Sequence, residues 1–186
     1  MNTRIYIALL MALSIVGSNL QAQKYITKNA HIRFYSDAPT EKIEGHNKLV
    51  NCALDATSGD FIFKVLMQSF QFEKALMQEH FNENYVESPK FPNATFMGKV
   101  EGIASIDFTK NGKYEVVVNG NLTLHGVSKA ISEKGTIEVI DGKVKASSTF
   151  VIAIADYNIK VPSAVMGKIA EKVDVNVEAT LEKFVK

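Results

Sequence analysis

The sequence predicts an all-β fold: an extended antiparallel β-barrel of about eight strands, with one or two short helices. Three observations carry this. Runs that alternate apolar and polar residues recur seven to nine times after residue 23. Most are joined by tight-turn clusters such as "TSGD", "KNGK" and the "DG" of Asp141 and Gly142. No helical pattern recurs between strands, which excludes a parallel sheet. Long antiparallel strands must hide their edges, and closure into a barrel does so completely; a two-sheet sandwich is the alternative.

The first element reads as a leader rather than as part of the fold. "MNTRIYIALLMALSIVGSNLQAQ" has a basic start at Arg4, an apolar run over residues 5–17 and a polar, small-residue exit. This predicts a cleavable export signal over residues 1–23, with cleavage after Ala22 or Gln23, and a periplasmic or secreted protein. The apolar run is short of the roughly 20 residues of a membrane span, so an uncleaved anchor is the lesser alternative. Residues 24–186 are expected to form one domain.

The strands follow in order. "AHIRFYS" places Ala30, Ile32 and Phe34 on one side and His31, Arg33 and Tyr35 on the other. "KIEGHNKLVNCALDA" alternates more weakly. "FIFKVLMQSFQF" sets Phe61, Phe63, Val65 and Met67 on one face. After a helical insert come "NATFMGKVEGIASIDFT", "YEVVVNGNLTLHG", "SKAISEKGTIEVI" and "KVKASSTFVIAIADYNI". "PSAVMGKIAE" reads as a short helical connection, and "KVDVNVEATLEKF" closes the chain with alternating Val173, Val175 and Val177.

Charge is balanced: 21 basic and 20 acidic residues, and 20 of each once Arg4 leaves with the leader. A neutral chain without a basic cluster argues against nucleic acid and against electrostatic docking on anionic lipid. Cys52 is the only cysteine, so no intramolecular disulfide forms, and it reads as a small buried hydrophobe.

"FEKALMQEHFNENYVESPKFP" is the stretch richest in chemistry-bearing residues. On a helix over residues 75–85, Met77, Phe81 and Tyr85 share one column, and Leu76, His80 and Asn84 the next. Glu79, Glu83 and Glu87 form a solvated outer column, and Pro89 ends the element. A zincin needs a second His four residues after His80, where Asn84 stands; a di-iron helix needs Glu three residues before it, where Met77 stands. The spacing therefore supports an amphipathic helix laid on the barrel rather than a metal site. "GVSKA" around Ser128 lacks the helix that a nucleophile elbow requires. The histidines His31, His46, His80 and His125 sit singly in different elements.

Taken together, "SGDFIFKVLMQSFQFEKALMQEHFNENYVESPKFPNATFMGKVEG", "GNLTLHGVSKAI" and the valine-rich ending resemble the YceI-like family of polyisoprenoid-binding domains. The resemblance spans nearly all of residues 24–186. It implies a lipocalin-like barrel with an amphipathic helix at its mouth, and an exported protein that holds a long isoprenoid or other amphiphile inside.

These readings combine into one expectation: a non-enzymatic binding protein, with no catalytic residue, metal or cofactor. Phe34, Phe61, Phe63, Val65, Phe72, Met77, Phe81, Phe96, Leu122, Leu124, Phe150 and Ile152 are the expected apolar wall, and Phe70 joins them. His80, Asn84, Tyr85 and His125 are the expected mouth. The expected partner is an isoprenoid or other amphiphilic lipid, with a homodimer left open; nucleic acid and membrane insertion of the cleaved chain are not expected. Two rivals stand beside it: a stress-response or interaction module whose barrel is filled, and a hydrolase or isomerase using His80 or His125.

Overall fold

The computed structural model describes residues 23–165 and 167–185, so the expected leader, apart from Gln23, lies outside it. Eight antiparallel strands close a barrel in sequence order. They are β1 (Lys24–Asp37), β2 (Lys42–Asp55), β3 (Asp60–Leu66), β4 (Asn93–Val100), β5 (Gly112–Leu124), β6 (Val127–Ile140), β7 (Lys143–Ala153) and β8 (Lys172–Lys183). The ring is completed by β1 against β8, with Phe34 opposite Val175. No sheet edge is left along that seam, which is the reason such long strands close.

Three elements differ from the sequence expectation. β1 begins at Lys24, well before "AHIRFYS", and is irregular near Ala30, where its pairing with β2 shifts register. The run after "NATFMGKV" does not continue as strand: Gly102 adopts φ 65° and starts a 3-10 turn over Ile103–Ser105. The expected helix in "PSAVMGKIAE" is only a 3-10 turn over Ser163–Val165.

Lower and upper halves of the barrel are built differently. At one end Tyr25, Leu54, Val139, Val144 and Leu181 are at most 1% exposed and fill the interior. Tyr25 stacks on Phe108 at 5.6 Å and closes this floor. Above them the inward residues of β5 and β6, such as Val116, Val118 and Ile131, are only partly buried because they face an open space. Glycines widen that space. Gly98 and Gly120 oppose each other on the inner faces of β4 and β5, and the Phe96 ring lies across both. A Cβ on Gly98 would sit 2.5 Å from that ring.

Two neighbouring strand pairs are joined over only part of their length. β2 pairs β3 from Asn51 to Leu54 alone, and the fork above is filled by the segment after β3, where the Gln71 backbone bonds to His46 at 2.7 and 3.0 Å. β6 pairs β7 only from Gly135↔Ser148 to Ile140↔Lys143.

Candidate functional site: a lidded apolar cavity

Helix α1 (Ala75–His80) runs into a π-helical turn over Phe81–Tyr85, in which the Val86 N–H donates to the Phe81 carbonyl at 2.9 Å. Neither segment contains a fully buried residue. They lie over the barrel end and are held by half-buried Met77, Phe81 and Tyr85. Phe81 is the anchor. Its ring stacks on Phe34 at 5.5 Å and meets Phe70 at 5.4 Å and Phe72 at 5.0 Å. Phe34 reaches this cluster because its partner across the strands is Gly45, whose missing side chain leaves room for the ring.

Beneath the lid is a cavity of about 570 Å3. All of the expected wall residues line it: Phe34, Phe61, Phe63, Val65, Phe72, Met77, Phe81, Phe96, Leu122, Leu124, Phe150 and Ile152, together with Phe70. Their strands pair inward faces with one another, as Phe63 with Phe96 and Phe96 with Leu122. The sequence reading missed Ile32, Val116, Val118, Ile131, Val173 and Val177, which also line it. Period-two alternation marked them as one face of a strand, but "VVV" reads the same in either parity, so only the register shows which valines face in.

The mouth residues divide. His80 and Tyr85 line the cavity at the lid, His80 exposed and Tyr85 with its phenol pKa raised by burial. Lys74 and Glu41, whose charged groups lie 3.8 Å apart, border the same end with Lys168. Asn84 is exposed and does not line the cavity, because the π turn rotates it outward from the His80 column. His125 is not at the mouth either. Its side chain is 9% exposed, its Nδ1–H donates to the Tyr157 carbonyl at 3.0 Å, and its Nε2 lies 2.6 Å from the Glu87 carboxylate. Glu87 is thus drawn from the outer column onto His125, with its own side chain still 43% exposed. It adopts φ 45°, His125 φ 50° and Asn158 φ 58°, so three left-handed residues knot the lid's end, the β5–β6 turn and the end of β7.

A second correction concerns the other histidines. His31 and His46 are not solitary: their rings stack at 5.3 Å across β1 and β2, with His31 Nε2 3.0 Å from His46 Nδ1. His46 Nε2–H donates to Glu44 at 2.9 Å, so Nδ1 of a neutral His46 accepts from His31. Arg33 pairs with the same Glu44 carboxylate and reaches Asn176 at 3.1 Å. This network lies outside the cavity lining.

Two residues that could serve as nucleophiles, Cys52 and Ser128, lie outside the cavity lining. Cys52 is 3% exposed and burial pushes its thiol far above the usual range. Ser128 follows Gly126 into strand β6, not into a helix. Among the described residues no group of three His, Cys, Asp or Glu side chains is placed to hold a metal. The arrangement offers a smooth apolar container with a few polar groups at its margins, the usual make-up of a small-molecule site.

Comparison with known proteins agrees with this architecture. A family model described as the YceI-like domain matches residues 24–181. The chain belongs to the YceI-like family. Solved structures share the YceI-like fold at low identity. A polyisoprenoid binding domain from Saccharophagus degradans, implicated in plant cell wall breakdown, is 16% identical with TM-score 0.76 over 88% of this chain and 100% of that one. BcnA of Burkholderia cenocepacia is 14% identical, TM-score 0.67, over 82% and 95%. A Campylobacter jejuni YceI protein is 18% identical, TM-score 0.56, over 76% and 85%. No curated protein matches the chain.

Proposed function

We propose that this YceI-like barrel sequesters or carries one apolar chain, an isoprenoid or similar lipid, without catalysing a reaction on it, and that it works as an exported periplasmic or secreted protein. The carrying observation is the cavity of about 570 Å3 with its continuous apolar wall from Phe61 to the Phe81 lid. That volume lies within the range of sites that enclose one small ligand. Burying a chain contributes about 0.8 kcal/mol per methylene, so ten such groups supply about 8 kcal/mol before the cost of immobilisation. No charged contact is needed. The hollow interior counts against a filled-barrel interaction module. The description of the Saccharophagus degradans domain as polyisoprenoid binding supports the ligand class. His80 and Tyr85 border the route by which a ligand enters as the lid moves.

The test is native mass spectrometry and lipid extraction of the protein purified from its own host. A co-purifying prenyl lipid, exchangeable for added prenyl alcohols, is the expected result. A clean apo mass with no uptake of prenyl alcohols or quinones overturns the proposal.

A further inference from the structure

The fork between β6 and β7 is unlike the one between β2 and β3, because among the described residues no segment fills it with strand pairing. β6 is paired with β5 along its length, from Gly112↔Val139 to Leu124↔Val127. β7 is paired with β8 from Val144↔Leu181 to Ala153↔Lys172. Between β6 and β7 the ladder stops at Gly135↔Ser148, where the Ser148 hydroxyl donates to the Lys134 carbonyl at 2.6 Å. Beyond that point the Lys129–Asp156 ion pair, 2.9 Å, spans the gap. A second cavity of about 120 Å3 occupies it. This cavity shares Leu122, Ile131, Glu133, Phe150 and Ile152 with the wall of the large one.

We propose that the β6–β7 fork is a lateral head-group subsite, in which Glu133 accepts a hydrogen bond from a hydroxyl of a ligand whose chain lies in the main cavity. This rests on the lipid-binding reading above and narrows it to an alcohol. Glu133 has the inward parity of Ile131 and Ile137 and borders both cavities. Burial alone displaces its ionisation, upward, with no cation or donor offsetting it. A partly buried carboxylate without a partner is unfavourable, and a hydroxyl supplies the missing donor while adding no charge. Tyr157 borders the gap, and burial first, then Asp156 and Glu133, keep its phenol protonated and able to share that hydroxyl. An anionic head is disfavoured there. It would meet the like charge of Glu133, and the cation of the gap, Lys129, is already matched by Asp156. Lys168, which suits an anion, borders the large cavity instead, where Lys74 is matched by Glu41.

The experiment compares geranylgeraniol, its methyl ether and its diphosphate as ligands of the delipidated protein and of Glu133→Leu. The expected result is that the wild type binds the alcohol about tenfold more tightly than the ether, the value of a charge-assisted hydrogen bond that the ether cannot donate. Glu133→Leu brings the two to equality and leaves the ether's affinity unchanged or improved. Equal affinities in the wild type, or an alcohol preference that survives Glu133→Leu, overturn the subsite. So does a diphosphate that loses affinity in Glu133→Leu. Glu133→Gln, which keeps shape and an acceptor, is expected to retain the folded barrel and part of the preference; a full tenfold preference in Gln also overturns the role of the charge. Ether binding reads the main cavity by itself, so its persistence separates failure of the subsite from failure of lipid binding. If neither alcohol nor ether binds, both readings fall.

Discussion

Replacing Phe81 with alanine should release the lid while leaving the barrel closed. Phe81 makes three aromatic contacts, with Phe34, Phe70 and Phe72, at centroid distances of 5.5, 5.4 and 5.0 Å. Such pairs contribute about 0.5–1.5 kcal/mol each beyond burial. Full truncation of a buried Phe costs about 3–5 kcal/mol, and Phe81 is only half-buried, so about 3 kcal/mol is the working figure. α1 and its π turn contain no fully buried residue, so Phe81 is their main anchor, with half-buried Met77 and Tyr85 beside it and the Glu87–His125 contact fixing only the end of the lid. An opening equilibrium shifted by about 3 kcal/mol moves by roughly 100-fold. Native-state hydrogen exchange resolves this. Amides of residues 78–86 should lose about two orders of magnitude of protection, while Val139, Val144 and Leu181 in the packed floor keep theirs. Unchanged exchange in the lid, or an equal loss in the floor, would refute the separation of lid from barrel.

Three further outcomes follow from other parts of the fold. Gly98→Val should destabilise the barrel by about 1–3 kcal/mol, because a Cβ there meets the Phe96 ring and the facing β5 backbone; an unchanged melting temperature would show that the inner wall has slack the glycines do not imply. Cys52 should resist thiol reagents in the folded protein and react only at the unfolding rate, so rapid native labelling contradicts its burial at 3% exposure. His31 is held below its ordinary value of 6.5, by burial first and by His46 second. The folded state then binds fewer protons than the unfolded one in mild acid, so its contribution is intact above that value and is lost as pH falls through the lowered one. Thermal melts from pH 8 to pH 5 should fall further for the wild type than for His31→Gln; parallel curves would exclude His31 as the cause.

The wall was legible in the sequence because a strand repeats every two residues: once Phe61, Phe63 and Val65 face in, their neighbours face out. The floor was less so. Tyr25 lies outside the "AHIRFYS" run, on the far side of a register shift near Ala30, and local alternation does not carry across such a shift. Contacts between elements were the least legible. His31 meets His46 only through the β1–β2 register, and Glu87 reaches His125 where the lid widens into a π turn and ends in a left-handed residue. Both depend on pairing between distant segments. The same holds for the β6–β7 fork: each strand is regular in sequence, and nothing local says where their ladder stops.

The upper barrel is an apolar container of bounded volume. The direct measurement is the affinity of a homologous series of chains of increasing length. Affinity should rise about fourfold per added methylene, from about 0.8 kcal/mol each, and then level off when the cavity of about 570 Å3 is full. An affinity independent of chain length, or one that rises without a plateau, would contradict a bounded cavity as the binding site.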